Sequence, residues 1–225
     1  MATAQAPASL NVGSAFAEPV FAYPRFVPEI QQALFHALQG FELDLASLSG
    51  SAASSRPSDW LVSAGFLDQR GITRVGYHGF DVTFWYPAWG EVELFREVVE
   101  AVESEVLASL PACRVGKRTF LFQAQVAKPL PSVLAQEGPE ELVGRASEIL
   151  GPLKERGLLV RFGGRSGEPT SRVWLEASQE SAGWSYLSLE SQHTSLSQRL
   201  GDDLAAFTAR LKALSGLFGW EDENE

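Results

Sequence analysis

Three histidines, His36, His78 and His193, are the only imidazoles in the chain, and imidazole is the side chain whose ordinary pKa suits proton transfer near neutral pH. No two of them have the HxxxH or HExxH spacing that sets paired ligands on one helix face, so no local metal site is expected. His36 follows Phe35 inside a helical pattern, where packing is its expected role. His78 lies in Tyr77-His78-Gly79, close to Asp81, while His193 has Ser191, Thr194 and Ser195 nearby. A serine, a histidine and an aspartate form a relay only when the fold brings them within hydrogen-bond reach, and no GxSxG elbow marks a nucleophile. His78, Asp81 and His193 are therefore the candidate acid/base groups of an alternative reading: a hydrolytic or small-molecule-binding enzyme with a pocket between sheet and helices.

Other chemistry-bearing stretches have plainer explanations. Arg161-Phe162-Gly163-Gly164-Arg165-Ser166-Gly167 could cradle a phosphate through backbone N–H groups. It lacks the GxxxxGK[ST] pattern, and Glu168-Pro169 stands where a phosphate-binding helix would begin, so a loop between strands is expected and no nucleotide cofactor is assigned. Glu91, Glu93, Glu97, Glu100, Glu103 and Glu105 fall largely on the polar side of an amphipathic helix, beside Arg96, rather than converging on a cleft. Cys113 is the sole cysteine, which rules out an internal disulfide, a redox CxxC pair and a Cys-based zinc site.

Aromatic concentration is the most suggestive feature. Phe84, Trp85, Tyr86 and Trp89 surround Pro87, and Trp174, Trp184 and Tyr186 follow in a second hairpin. If Phe84 and Tyr86 face the core, Trp85 points the other way and needs cover from a second layer, a dimer mate or a ligand. No convergent polar set accompanies these rings, so protein contact is favoured over a small ligand. Trp220, after Leu217-Phe218-Gly219 and before the acidic end, either caps the last helix or forms a docking peptide.

Charge narrows the partners. The 225 residues carry 18 basic and 28 acidic side chains, net charge −10, a balance that repels phosphate. Residues 112–172 hold ten basic against six acidic residues; this mild excess, with Arg114, Lys117, Arg118 and Lys128, makes nucleic acid the least favoured partner. No basic residue precedes Arg25, no signal-like apolar core follows the start, and no apolar run reaches ~18 residues. A cytoplasmic location without membrane attachment is expected. Arginine outnumbers lysine fourteen to four, a composition expected of a GC-rich bacterial gene.

Residues 1–24, with Pro7, Pro19 and Pro24, read as a flexible leader. Ile30, Leu34, Phe35 and Leu38 predict a helix ending at Gly40; Phe41, Leu43 and Leu45 predict a strand, and Ser47–Ser58 a loop. From Trp60 to Pro87 the pattern is β, with a hairpin turn at Asp68–Gly71 and bulges or bends at Gly76 and Gly79. Phe95, Val98, Val99, Val102, Val106 and Leu110 predict a long helix stopped by Pro111. Strands over 117–126 and 158–162, a helix over 140–155, a hairpin around 171–189 and a helix carrying Leu200, Leu204, Phe207, Leu211, Leu214 and Phe218 complete the pattern.

One-sided strands and striped helices must bury their apolar faces against each other. The expected fold is thus α+β: an antiparallel sheet of hairpins with amphipathic helices packed mainly on one face, in a single domain over 25–218 followed by an acidic tail over 219–225. Because hairpin-then-helix recurs, one domain and two pseudo-repeated halves, 25–111 and 112–218, are both open. The leading functional expectation is a non-catalytic protein-interaction factor of the accessory, immunity or chaperone-like kind. It binds a protein partner or a second copy through Trp85, Trp89 and Trp220, with no metal, cofactor, nucleic acid or membrane.

Overall fold

Alternation of large and small side chains builds the centre of the sheet. A computed structural model describes residues 9–18, 26–51, 56, 59–85, 91–126, 157–162, 169–177, 185–194 and 200–217. Strand β1, Ser9–Phe16, turns Leu10, Val12, Ser14 and Phe16 inward and Asn11, Gly13 and Ala15 outward. It sits in the middle of the sheet, antiparallel to both neighbours. This corrects the expectation of a flexible leader to residue 24. Flanking prolines and outward small residues hide the period-two signal, whereas pairing on both edges satisfies the whole backbone.

Helix α1, Phe26–Leu38, buries Phe26, Ile30, Leu34 and Leu38. Strand β2 runs Asp44–Ser51, so the strand starts later than expected and takes in residues assigned to a loop. It is an edge strand with irregular pairing to β3. Strands β3, Leu61–Phe66, β4, Gly71–Gly76, and β5, Gly79–Trp85, form a meander. The β3–β4 turn holds Leu67, Asp68 and Gln69 at φ of 50°, 52° and 64°. Gly76 and Gly79 pair across a tight turn rather than marking bulges. Gly79 has φ 152°, and a Cβ there would stand 2.1 Å from the Ser14 carbonyl oxygen, so only glycine fits.

Helix α2, Val92–Ser109, is rich in valine, which is a mediocre helix former. Its stripe of Phe95, Val98, Val99, Val102 and Val106 is entirely buried, and tertiary burial of this kind outweighs propensity. Burying each such side chain contributes about 1.5–3 kcal/mol. The helix ends where the Leu110 N–H bonds to Val106 O, ahead of Pro111. Strands β6, Val115–Val126, β7, Gly157–Phe162, β8, Thr170–Ala177, and β9, Ser185–His193, are followed by α3, Leu200–Leu217.

Among the described residues the strands make one nine-stranded sheet in the order β2-β3-β4-β5-β1-β6-β9-β8-β7, antiparallel at every junction. The three described helices share one face, and the rings interlock there: Phe84 stacks on Phe95 and Phe120 on Phe207. The α+β class and one-sided helix packing are as expected. A meander followed by a helix does occur on each side of β1, but this pattern does not confirm a duplication. The helix expected over 140–155, and Tyr86, Trp89, Trp184 and Trp220, lie outside the described residues.

Candidate functional site

The face of the sheet opposite α1, α2 and α3, here the free face, carries a cavity of about 570 Å³, and the strand register explains it. One cross-strand row runs Leu61, Gly76, Gly79, Ala15, Lys117, with three small residues between a leucine and a lysine. The adjacent row runs Ser63, Arg74, Asp81, Gly13, Thr119. Small positions form the floor, while Arg74, Asp81, Lys117 and Thr119 rise as walls, with Asp59, Trp60, Tyr77 and His78 completing the lining. Gly13 is not a steric necessity: a Cβ there would meet nothing closer than the Thr119 carbonyl oxygen at 4.0 Å. A strand glycine with room above it marks a place where something else can approach the backbone.

Arg74 and Asp81 face each other at 3.8 Å. Burial pushes the Asp81 carboxyl above its usual range, and the Arg74 guanidinium pulls it part of the way back. Lys117 makes no ion pair among the described residues. His78 is exposed on the turn and sets its ring edge-on to Tyr77, with centroids 4.8 Å apart. A second cavity, of about 420 Å³, is lined by Glu42, Leu43, Asp44, Asp68 and Gln69. No group of His, Cys, Asp and Glu among the described residues is arranged to hold a metal.

The opposite face carries the densest polar cluster. Arg118 on β6 donates to Asp203 of α3 at 2.7 Å and to Glu103 of α2 at 2.5 Å. His193 Nδ1 lies 3.5 Å from Asp203 Oδ1, and His193 Nε2 shares a 3.2 Å hydrogen bond with Ser191 Oγ. Ser191 also meets Ser171 at 3.2 Å and accepts from Arg210 at 3.3 Å. Burial pushes His193 below the ordinary imidazole value; Asp203 opposes this, while Arg210 and Arg118 reinforce it.

Ser191, His193 and Asp203 thus stand in the order of a nucleophile relay. Their environment argues against that use, because Ser191 is 0% and His193 4% exposed, and a nucleophile must meet its substrate. The arrangement instead clamps α2 and α3 to β6 and β9. His78 and Asp81 line the free-face cavity, whereas His193 is buried beneath the helices, so the three do not converge on one pocket between sheet and helices. Arg118 is consumed in the clamp, and His36 sets its ring against Phe35 at 5.9 Å.

Trp85 is half-buried on the free face and pairs with Ser9. A stronger apolar feature lies at the far edge. Leu159 on β7 and Trp174 on β8 are direct cross-strand partners, 55% and 48% exposed, and the Trp174 indole donates to Glu176 at 3.0 Å. Sequence reasoning noted Trp174 but did not select it; alternation with Val173 and Leu175, both buried, was the signal that it faces outward. No helix among the described residues is long and apolar enough to cross a membrane. No protein-family model matches the chain, and no curated protein matches it.

Proposed function

We propose that this is a non-catalytic binding protein, an acidic accessory, immunity or chaperone-like factor of the cytoplasm, which receives a protein partner on the face of its sheet opposite α1, α2 and α3. The observation that supports this reading most is the exposed Leu159–Trp174 pair beside the edge strand β7. A large aromatic next to an aliphatic, ringed by polar groups such as Glu176 and Arg172, has the make-up of an interaction hot spot. Elsewhere among the described residues of this face the outward apolar residues Leu61, Ile72, Trp85 and Leu121 are interleaved with Asn11, Thr83, Gln123 and Tyr186.

The test compares wild-type protein with Leu159→Asp and Trp174→Ala, using light scattering for mass and quantitative capture from extract for heterologous partners. Both residues are exposed, so the variants are expected to fold. The expected result is loss of a specific captured protein, or of a dimer, in both variants. If mass and captured proteins are the same in all three, the reading fails.

A further inference from the structure

The free-face cavity supports an inference that does not rest on the protein-partner reading, because it lies across β3 to β6 while Leu159 and Trp174 occupy β7 and β8. We propose that this cavity binds a small organic carboxylate, its charged end at Lys117 and its apolar body along the glycine floor toward Leu61.

The shape comes from register. Leu61 and Lys117 terminate one cross-strand row, separated by Gly76, Gly79 and Ala15. Four strand spacings of ~4.8 Å put their Cα atoms about 19 Å apart, room for a bicyclic aromatic acid between two side chains that reach inward. The floor offers backbone and one methyl group, so a flat body can lie close to it. The far wall is apolar at Leu61, 43% exposed; the Trp60 ring packs on Phe26 of α1 at 6.0 Å, and its backbone carbonyl borders the floor beside Gly76.

Charge sets the ligand's direction. Arg74 and Asp81 largely answer each other. Lys117 is the wall cation without a carboxylate partner among the described residues, and Thr119 on the same strand adds a hydroxyl donor. A carboxylate at this end of the cavity pairs with Lys117, which leaves the apolar body to lie toward Leu61.

The experiment titrates 2-naphthoate, and separately the uncharged 2-naphthamide, into the full-length protein by calorimetry. Two variants are run in parallel: Gly13→Val, which raises a branched side chain from the floor where a Cβ has room, and Lys117→Gln. Urea unfolding establishes that each variant folds, and Lys117→Gln, a surface change, keeps the test valid should valine not be accepted at position 13. Expected are saturable naphthoate binding with Kd of about 1 mM or tighter, at least tenfold weaker binding of the amide, and a loss on the order of tenfold in either folded variant. Absence of saturable naphthoate binding to the wild type overturns the proposal, as does binding that Lys117→Gln leaves unchanged. Neither result bears on Leu159 and Trp174, so this inference and the partner reading fail independently.

Discussion

On the helix-covered face Arg118 and Asp203 meet at 2.7 Å with side chains 5% and 8% exposed, whereas on the free face Arg74 and Asp81 stand 3.8 Å apart at 46% and 35%. Each pair has a histidine in its neighbourhood, His193 in the first case and His78 in the second. The residue types are nearly the same and the consequences are opposite. Where helices exclude water, every charge must be matched and the groups are fixed. Where water remains, the pair contributes little to stability and its members are available to a ligand.

The largest test of this contrast is Arg118→Met. It leaves Glu103 and Asp203 under the helices without their counter-ion, and a loss of about 3–5 kcal/mol is expected. For a chain of this length that corresponds to a fall in Tm on the order of 10 °C, readable by calorimetry. Arg74→Met, its counterpart on the free face, is expected to cost under about 1 kcal/mol. Similar losses for the two substitutions would break the contrast.

A smaller effect sharpens it through pH. His193 is held below its ordinary value near 6.5, so the unfolded chain takes up a proton more readily than the folded one. Its contribution to stability is therefore complete above about pH 6.5 and is lost as pH falls below that value toward the folded one. Asp203, Arg118 and Arg210 face this imidazole, Glu103 shares Arg118 with Asp203, and the other carboxylates add their own acid dependence. The informative quantity is thus the difference between wild type and His193→Gln. Urea unfolding between about pH 7.5 and 5.5 is expected to show a steeper acid-side loss in the wild type, and parallel curves would contradict it.

The smallest effect concerns the turn between β3 and β4. Gln69 has φ 64° without being glycine, so Gln69→Gly is expected to stabilise by up to about 1 kcal/mol, visible as a higher urea midpoint.

The strongly periodic parts of the fold were legible from sequence. Phe80, Val82 and Phe84, the α2 valines and the α3 leucines announce their faces because side-chain period follows directly from backbone geometry. Strand β1 was not legible, since Asn11, Gly13 and Ala15 dilute its alternation and only pairing with β5 and β6 fixes it. The cavity was hidden for a related reason. Gly13, Gly76 and Gly79 look like turn or bulge residues one at a time, and become a floor only when register sets them beside Ala15. Likewise, Arg118, Glu103, Asp203 and His193 come from four elements, and no local spacing could foretell their meeting. His78 and Asp81 were selected from sequence, and both line the free-face cavity.

Hydroxyl-radical footprinting of the protein, free and in the complex captured from extract, tests most directly the claim that one face holds the fold and the other meets the partner. Phe35, 40% exposed on α1, serves as the reference on the helix side. The expected result is protection of Trp174 and Leu159 in the complex with Phe35 unchanged. Protection of Phe35 with Trp174 and Leu159 still fully reactive would place the partner on the helices and contradict the account.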